Sequence, residues 1–336
     1  MAQKVTLAGN IIVDNVKTIT AWPEKGMLVP ITSVKRSPGG AVPNSGIDLK
    51  TLDPSVEVAA FGKIGDDDAG DFVRNFMSER GLDVSNVKSV SGVPTTFTDV
   101  MTVASTGERT FFNMHGADSA LVPEDVYPAK LGCDIFHLGY LLLLDGLDAE
   151  DAEYGTKAAR LLANVQAAGI KTSLDIVSEQ SDRFAKIVRP ALKYCDYVVI
   201  NEVEGALATG LSALDDSGRT SETNLRRICE GLFELGVGEQ VVVHCPELSV
   251  SLDRAGHFVS VPSLELPAGW IRGSVGAGDA FCAGMLYAFL KGMSAEEGMR
   301  LASCTAAMNL AVPDSVSGAK SLAETLSLES RFSRRK

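Results

Sequence analysis

Residues 273–286 read GSVGAGDAFCAGML. Gly276, Ala277 and Gly278 stand directly in front of Asp279, and an apolar run follows, so a helix is expected to begin here. The start of a helix exposes unpaired backbone N–H groups and carries partial positive charge. Glycines let a phosphate approach those groups closely, so Gly276, Ala277 and Gly278 could make an anion hole. An aspartate in that position can take the proton of a hydroxyl as it attacks phosphorus, and the helix dipole favours its ionised form. The stretch is not a Walker A loop, which needs Gly-Lys followed by Ser or Thr. Nor does the chain carry the dinucleotide fingerprint, because the first strand runs on into AGNIIVDN. The structural alternative is an Asp279 that only caps its helix.

The elements that must position these residues follow from apolar periodicity. KVTLAGNIIVD reads as a first buried strand with a turn after it, and MLVPITSVKRS as β-rich and partly alternating. AVPNSGIDLKTL reads as a helix, and TTFTDVMTVAS with ERTFFNMH as two short strands. Strands at IFHLG, KTSLDI, YVVIN and VVVHC then alternate with helices such as AEYGTKAARLLANVQAAG. The expected fold class is α/β, a mainly parallel central sheet flanked by helices. The chain shows no linker, so residues 1–336 are expected to form a single domain with a small β insertion in two pieces, about 15–38 and 93–116. Ligands of open parallel sheets bind beyond the carboxyl ends of the strands. Asp14, Asp145, Asp175 and Asn201 all fall just after expected strands.

With 31 Lys and Arg against 43 Asp and Glu, the formal charge is −12, which argues against a nucleic-acid partner. No apolar stretch is long enough to cross a membrane, and MAQKVTLAGN lacks the pattern of a signal peptide. The six cysteines form no C-x-x-C pair and read as buried thiols, so a cytoplasmic setting is expected.

Several spaced motifs then point the same way. GAGDAF is followed by a second Ala-Gly at Ala283-Gly284. SPGGAVPNSG supplies Gly39, Gly40 and Asn44, FGKIGDDDAGDFV carries a G-x-x-G-x-D-x-x-G spacing, and NEVEG supplies Asn201 and Glu204. In this order, across nearly the whole chain, they resemble the signatures of the PfkB family of carbohydrate kinases, with its ribokinase-like fold. The resemblance implies transfer of the γ-phosphoryl group of ATP to a hydroxyl of a sugar or sugar acid. It makes Asp279 the general base and Gly276, Ala277 and Gly278 the anion hole. It assigns Asp14 to substrate hydroxyls, Gly39 and Gly40 to close backbone approach, Asn44 to a hydroxyl, and Asp145 to the neighbourhood of the sugar. Asn201 and Glu204 match residues that organise Mg²⁺ through water, with Glu204 its acid; Ser274 and His244 would flank the phosphates. The β insertion matches the family's lid, through which many members pair as homodimers.

The chain departs from the family in three places, one of them SLDIVSEQSDRF, which has Asp175 but Ser178 where many members carry a different polar pattern. Gly273-Ser274-Val275 replaces an Asp-Thr stretch whose acid helps bind a monovalent cation, which puts potassium activation in doubt. VVVHCPELSV places His244, Pro246 and Ser249 in the nucleotide loop, and a proline removes a backbone N–H, so that loop folds differently. Two other functions stay open. One is a nucleoside kinase, with Trp22 or Phe97 of the lid stacking on a base; the other is a sugar-binding regulator with weak catalysis. His115 and Asp118 could also face substrate, although a lone histidine is more often structural.

Overall fold

Period-two burial along the strands makes the frame. In the strand Lys4–Gly9, Val5 and Leu7 join the apolar cluster on one side of a sheet while Ala8 joins the cluster on the other. The pattern repeats in Tyr197–Asn201, where Val199 faces one side and Val198 and Ile200 the other. A sheet apolar on both faces must be covered on both. In the computed structural model, which describes residues 3–179 and 182–335, it is. Helices Ala41–Leu52, Asp68–Glu79, Ala277–Lys291 and Ala295–Leu310 pack on one face. Helices Lys157–Ala167, Phe184–Leu192 and Glu222–Glu234 pack on the other.

The sheet has nine strands. From one edge they run Phe258–Pro262, Leu248–Asp253, Gln240–His244, Tyr197–Asn201, Lys171–Ile176, Ile135–Leu141, Lys4–Gly9, Glu57–Gly65 and Asp83–Val90. All pairings are parallel except the two at the Phe258–Pro262 edge, which are antiparallel. Lys4–Gly9 lies between strands that follow it in both directions, so the strand order reverses there, the usual place for a ligand crevice.

A separate four-stranded sheet has the order Ile31–Gly39, Ile12–Ile19, Phe97–Val103, Arg109–Met114. This corrects the reading of the first strand. It ends at Gly9, and after a break at Asn10 and Ile11 the chain resumes in the small sheet. Asn10 is the reason: its buried amide donates to Asp118, which also accepts from Thr96, so the chain is pinned to the small sheet's far end. Asp14 therefore lies inside a second strand, opposite Ser37, and not just after the first one.

Pro246 stands in the tight hairpin turn after Gln240–His244, where the Cys245 N–H donates to the Leu248 carbonyl at 2.9 Å. All six cysteines are free, five of them buried and Cys133 partly so. Among the described residues no helix is long and apolar enough to cross a membrane.

Candidate active site

Four neighbouring strands each bring one polar residue to the same end of the sheet. Tyr140 closes Ile135–Leu141, Asp175 closes Lys171–Ile176, Asn201 ends Tyr197–Asn201 and His244 ends Gln240–His244. All four line one cavity of about 460 Å³, together with Gly278 and Asp279 from the helix Ala277–Lys291.

That helix begins as the sequence leads one to expect, with Gly276 before it at φ 80°, a conformation natural only to glycine. A Cβ there would also meet Ser315 at 2.7 Å. No side chain caps this helix start. Asp279 sits in the first turn, 4% exposed. Its Oδ2 accepts hydrogen bonds from the Asn44 amide and the Tyr140 hydroxyl, each at 2.9 Å. Its Oδ1 is buried and has no hydrogen-bond partner among the described residues. Burial, then the nearby Asp175 charge, push the Asp279 carboxyl up to about 8, against the pull of its two donors; Asp14 adds to the rise.

Asn44 is fixed in turn. The Ser315 hydroxyl donates to its Oδ1 at 2.9 Å, so its NH₂ must face Asp279. Gly39 lies against Asp14, where a Cβ would come within 2.5 Å of Oδ2, so this acid fits only beside a glycine. Burial pushes the Asp14 carboxyl up to about 7. Gly40 precedes the helix Ala41–Leu52 that carries Asn44.

Asn201 and Glu204 form a complete capping box. The Asn201 Oδ1 accepts from Val203 and Glu204 N–H at 2.9 Å each, and Glu204 Oε2 accepts from the Asn201 N–H at 3.0 Å. Glu204 Oε1 takes the Ser178 hydroxyl at 2.7 Å and the Asn201 amide at 2.8 Å. Burial pushes the Glu204 carboxyl up to about 7. With Asp175 and Asp279 it makes three carboxylates on one cavity wall, and among its described lining residues there is no lysine or arginine.

A second cavity of about 520 Å³ adjoins the first. Leu248, Leu264, Leu266, Ile271 and Leu310 make it largely apolar. Asn201, His244, Ser274 and Gly278 line both, so they form the wall between them. The His244 ring packs on Phe281 at 4.5 Å between centroids. Burial depresses it to about 4, so it is neutral and could offer a phosphate a hydrogen bond but no charge. A Cβ on Gly278 would meet only His244, at 3.9 Å, so the fold itself leaves this position open.

Other named residues lie elsewhere. Asp145 lines neither cavity; it is half exposed and accepts from Ser119 while pairing with His115, each at 3.0 Å. Asp118 is the buried brace of Asn10 and lines neither of these two cavities. Trp22 is exposed and Phe97 packs on the core; the small-sheet aromatic that reaches the cavity is Phe111. Tyr140, Phe111 and Ser315 were not singled out from sequence, and none belongs to a motif that would mark it. His137, Asp175 and Cys282 place potential ligand atoms within 4.8 Å of one another. Burial and three neighbouring carboxylates raise the Cys282 thiol well above its ordinary range.

The profile of the pfkB family carbohydrate kinases matches residues 3–321. The chain is 22% identical to the ribokinase of Haemophilus influenzae over 97% of its own length and 98% of that protein. It is 28% identical to a fructokinase of Klebsiella pneumoniae over 74% of its length and 76% of that protein. The structure of Arabidopsis thaliana ribokinase complexed with ribose and ATP superposes with a TM-score of 0.79 at 21% identity, covering 98% of this chain and 99% of that one.

Proposed function

The chain belongs to the pfkB family of carbohydrate kinases, phosphotransferases with an alcohol acceptor, and from that premise we propose that it moves the γ-phosphoryl group of ATP to a hydroxyl of a sugar or sugar acid. One observation carries the reading. Asp279, with one buried oxygen left without a partner, lies in the first turn of a helix that no side chain caps and lines the polar cavity, which meets the apolar one at the neighbouring Gly278. On this reading the apolar cavity takes the nucleotide base, and the polar cavity takes the acceptor. The phosphates cross the shared wall over Gly276, Ala277 and Gly278. Asp279 Oδ1 accepts the hydroxyl proton as the hydroxyl oxygen bonds to the γ-phosphorus. The bond from that phosphorus to the bridging oxygen breaks, and ADP leaves.

Asp14, Gly39, Gly40 and Asn44 line neither cavity; in this scheme the acceptor extends past Asp279, to which Asn44 bonds, and its hydroxyls meet Asp14 and Asn44 there, with the backbone of Gly39 and Gly40 close by. Asp145 stays at the outer margin of the acceptor site. His244 and Ser274 contact phosphate as neutral groups. The residues fit Mg²⁺ in an outer-sphere role. Three of the four lone-pair positions on Glu204 are already used by Asn201 and Ser178, so Glu204 and Asn201 would hold the ion through water. Bound with ATP, the ion neutralises phosphate charge beside three carboxylates that would otherwise repel it.

The small sheet serves as the lid, with Phe111 reaching the cavity. Its exposed Val34, Phe111 and Phe112 support pairing of two copies through the lid. Phe111 also favours a second reading, a nucleoside acceptor whose base stacks on it.

The test is ADP release from Mg-ATP with a panel of sugars, sugar acids and nucleosides, each with and without K⁺, using Asp279→Asn as the blank. Acceptor-dependent release that vanishes in the blank supports the kinase and identifies its acceptor class. Thermal shifts with sugar but none with ATP, and no release, would replace it with a sugar-binding regulator.

A further inference from the structure

Tyr140 occupies an irregular point in the sheet. Between Leu138 and Leu141 its strand has three steps where the facing Leu174 to Ile176 has two, a β-bulge. Bulges re-aim side chains and concentrate near active sites. Within it Tyr140 has φ 59°, and Leu142 just beyond has φ 88°; these are the positive-φ residues other than glycine among those described. The left-handed region is disfavoured for bulky side chains and persists only where surroundings enforce it. Here Tyr140 is fastened at both ends. Its N–H donates to Asp175 Oδ1 at 2.7 Å, and its hydroxyl donates to Asp279 Oδ2 at 2.9 Å. It thus stands between two carboxylates that repel each other.

We propose that Tyr140 is a positioning residue for the base: with Asn44 it occupies Oδ2 of Asp279, so that Oδ1 alone is left to take the acceptor's proton. The acceptor's identity rests on the kinase reading above; the hydrogen bond does not. A carboxylate oxygen that accepts two donors has both in-plane lone pairs engaged. A proton arriving at Asp279 therefore settles on Oδ1. Each donor also favours the ionised form, which opposes the charges of Asp14, Asp48 and Asp175 around the site. Cys282 and Tyr140, the other titratable groups facing Asp279, stay neutral, because burial and these carboxylates raise both.

Tyr140→Phe keeps the ring and removes only the donor, and a thermal melt checks that it folds. The acid limb of kcat against pH is expected to move up by about one unit. Turnover is then reduced about tenfold at neutral pH and recovers at high pH, with the KM for ATP unchanged. A limb that does not move would overturn the proposal, and so would an equal loss at every pH, the mark of mere packing. The same quantity is readable without turnover, by carbon NMR of ¹³C-aspartate-labelled protein, with the Asp279 signal assigned from Asp279→Asn. Its midpoint rises in Tyr140→Phe if Tyr140 positions the base, and stays if it does not. A wild-type protein with no kinase activity but a rising midpoint would sink the kinase reading and leave this one standing.

Discussion

Two helices begin at the same cavity and solve the same problem in opposite ways. Each start leaves backbone N–H groups without partners. At Asn201 the protein closes them itself, through Asn201 and Glu204 bonding each other's backbone. At Gly276 no side chain does so, although this helix is the longer and more buried of the two. A helix start left uncapped beside a cavity offers its N–H groups and its dipole to a ligand. A self-capped start offers rigidity. The difference separates a binding surface from the scaffold that holds it.

Four changes test that contrast, the strongest first. Asp279→Asn keeps the shape of the open start but removes its base. Phosphoryl transfer is expected to fall by about 10³-fold or more, while calorimetry shows acceptor binding largely intact. Retained turnover would reduce Asp279 to a structural residue. Asp14→Ala is expected to raise the acceptor's KM by about 10- to 100-fold and that of ATP little; equal effects on both would make Asp14 structural.

Gly278→Ala adds a methyl that meets only His244 at 3.9 Å, so the melting temperature holds. Its kcat/KM for ATP is expected to drop about tenfold, because the phosphates can no longer approach. An unchanged value would erase the distinction between the two helix starts. Asn201→Ala opens the closed start and should cost about 1–2 kcal/mol of stability, seen as a lower denaturant midpoint.

A pH series completes the set. Asp14 and Glu204 at about 7 and Asp279 at about 8 all lie above their unfolded values near 4. The folded state therefore binds more protons than the unfolded one between those limits. The stability these groups contribute to the ligand-free protein is full below about pH 4 and is lost as pH rises from there to about 8. A melting temperature that rose across this window would contradict the burial assigned to them.

What could be read beforehand divides along physical lines. The parallel sheet was legible because burial on both faces writes itself into every strand, as at Val198 to Ile200. The helix start at Gly276 was legible because glycine and acid act there through local backbone. Tyr140 was not: it lies in the apolar run GYLLLL, and its hydroxyl acts on a residue 139 positions away. From sequence Asp14 falls just after the first strand, because apolar residues continue past Gly9, and only the Asn10 to Asp118 contact, made across the fold, ends that strand earlier. For the same reason nothing local chose Phe111 over Trp22 or Phe97 as the aromatic at the cavity.

The wall between the two cavities bears on how such a protein diverges. On the proposed reading, a change at Gly278 or His244 disturbs donor and acceptor together, because both are read there. A change at Phe111 or Tyr140 touches the acceptor side alone, and one at Leu264 or Ile271 the nucleotide side alone. A lineage can then exchange one alcohol for another by drift at a few cavity positions while the phosphate-handling centre is inherited intact.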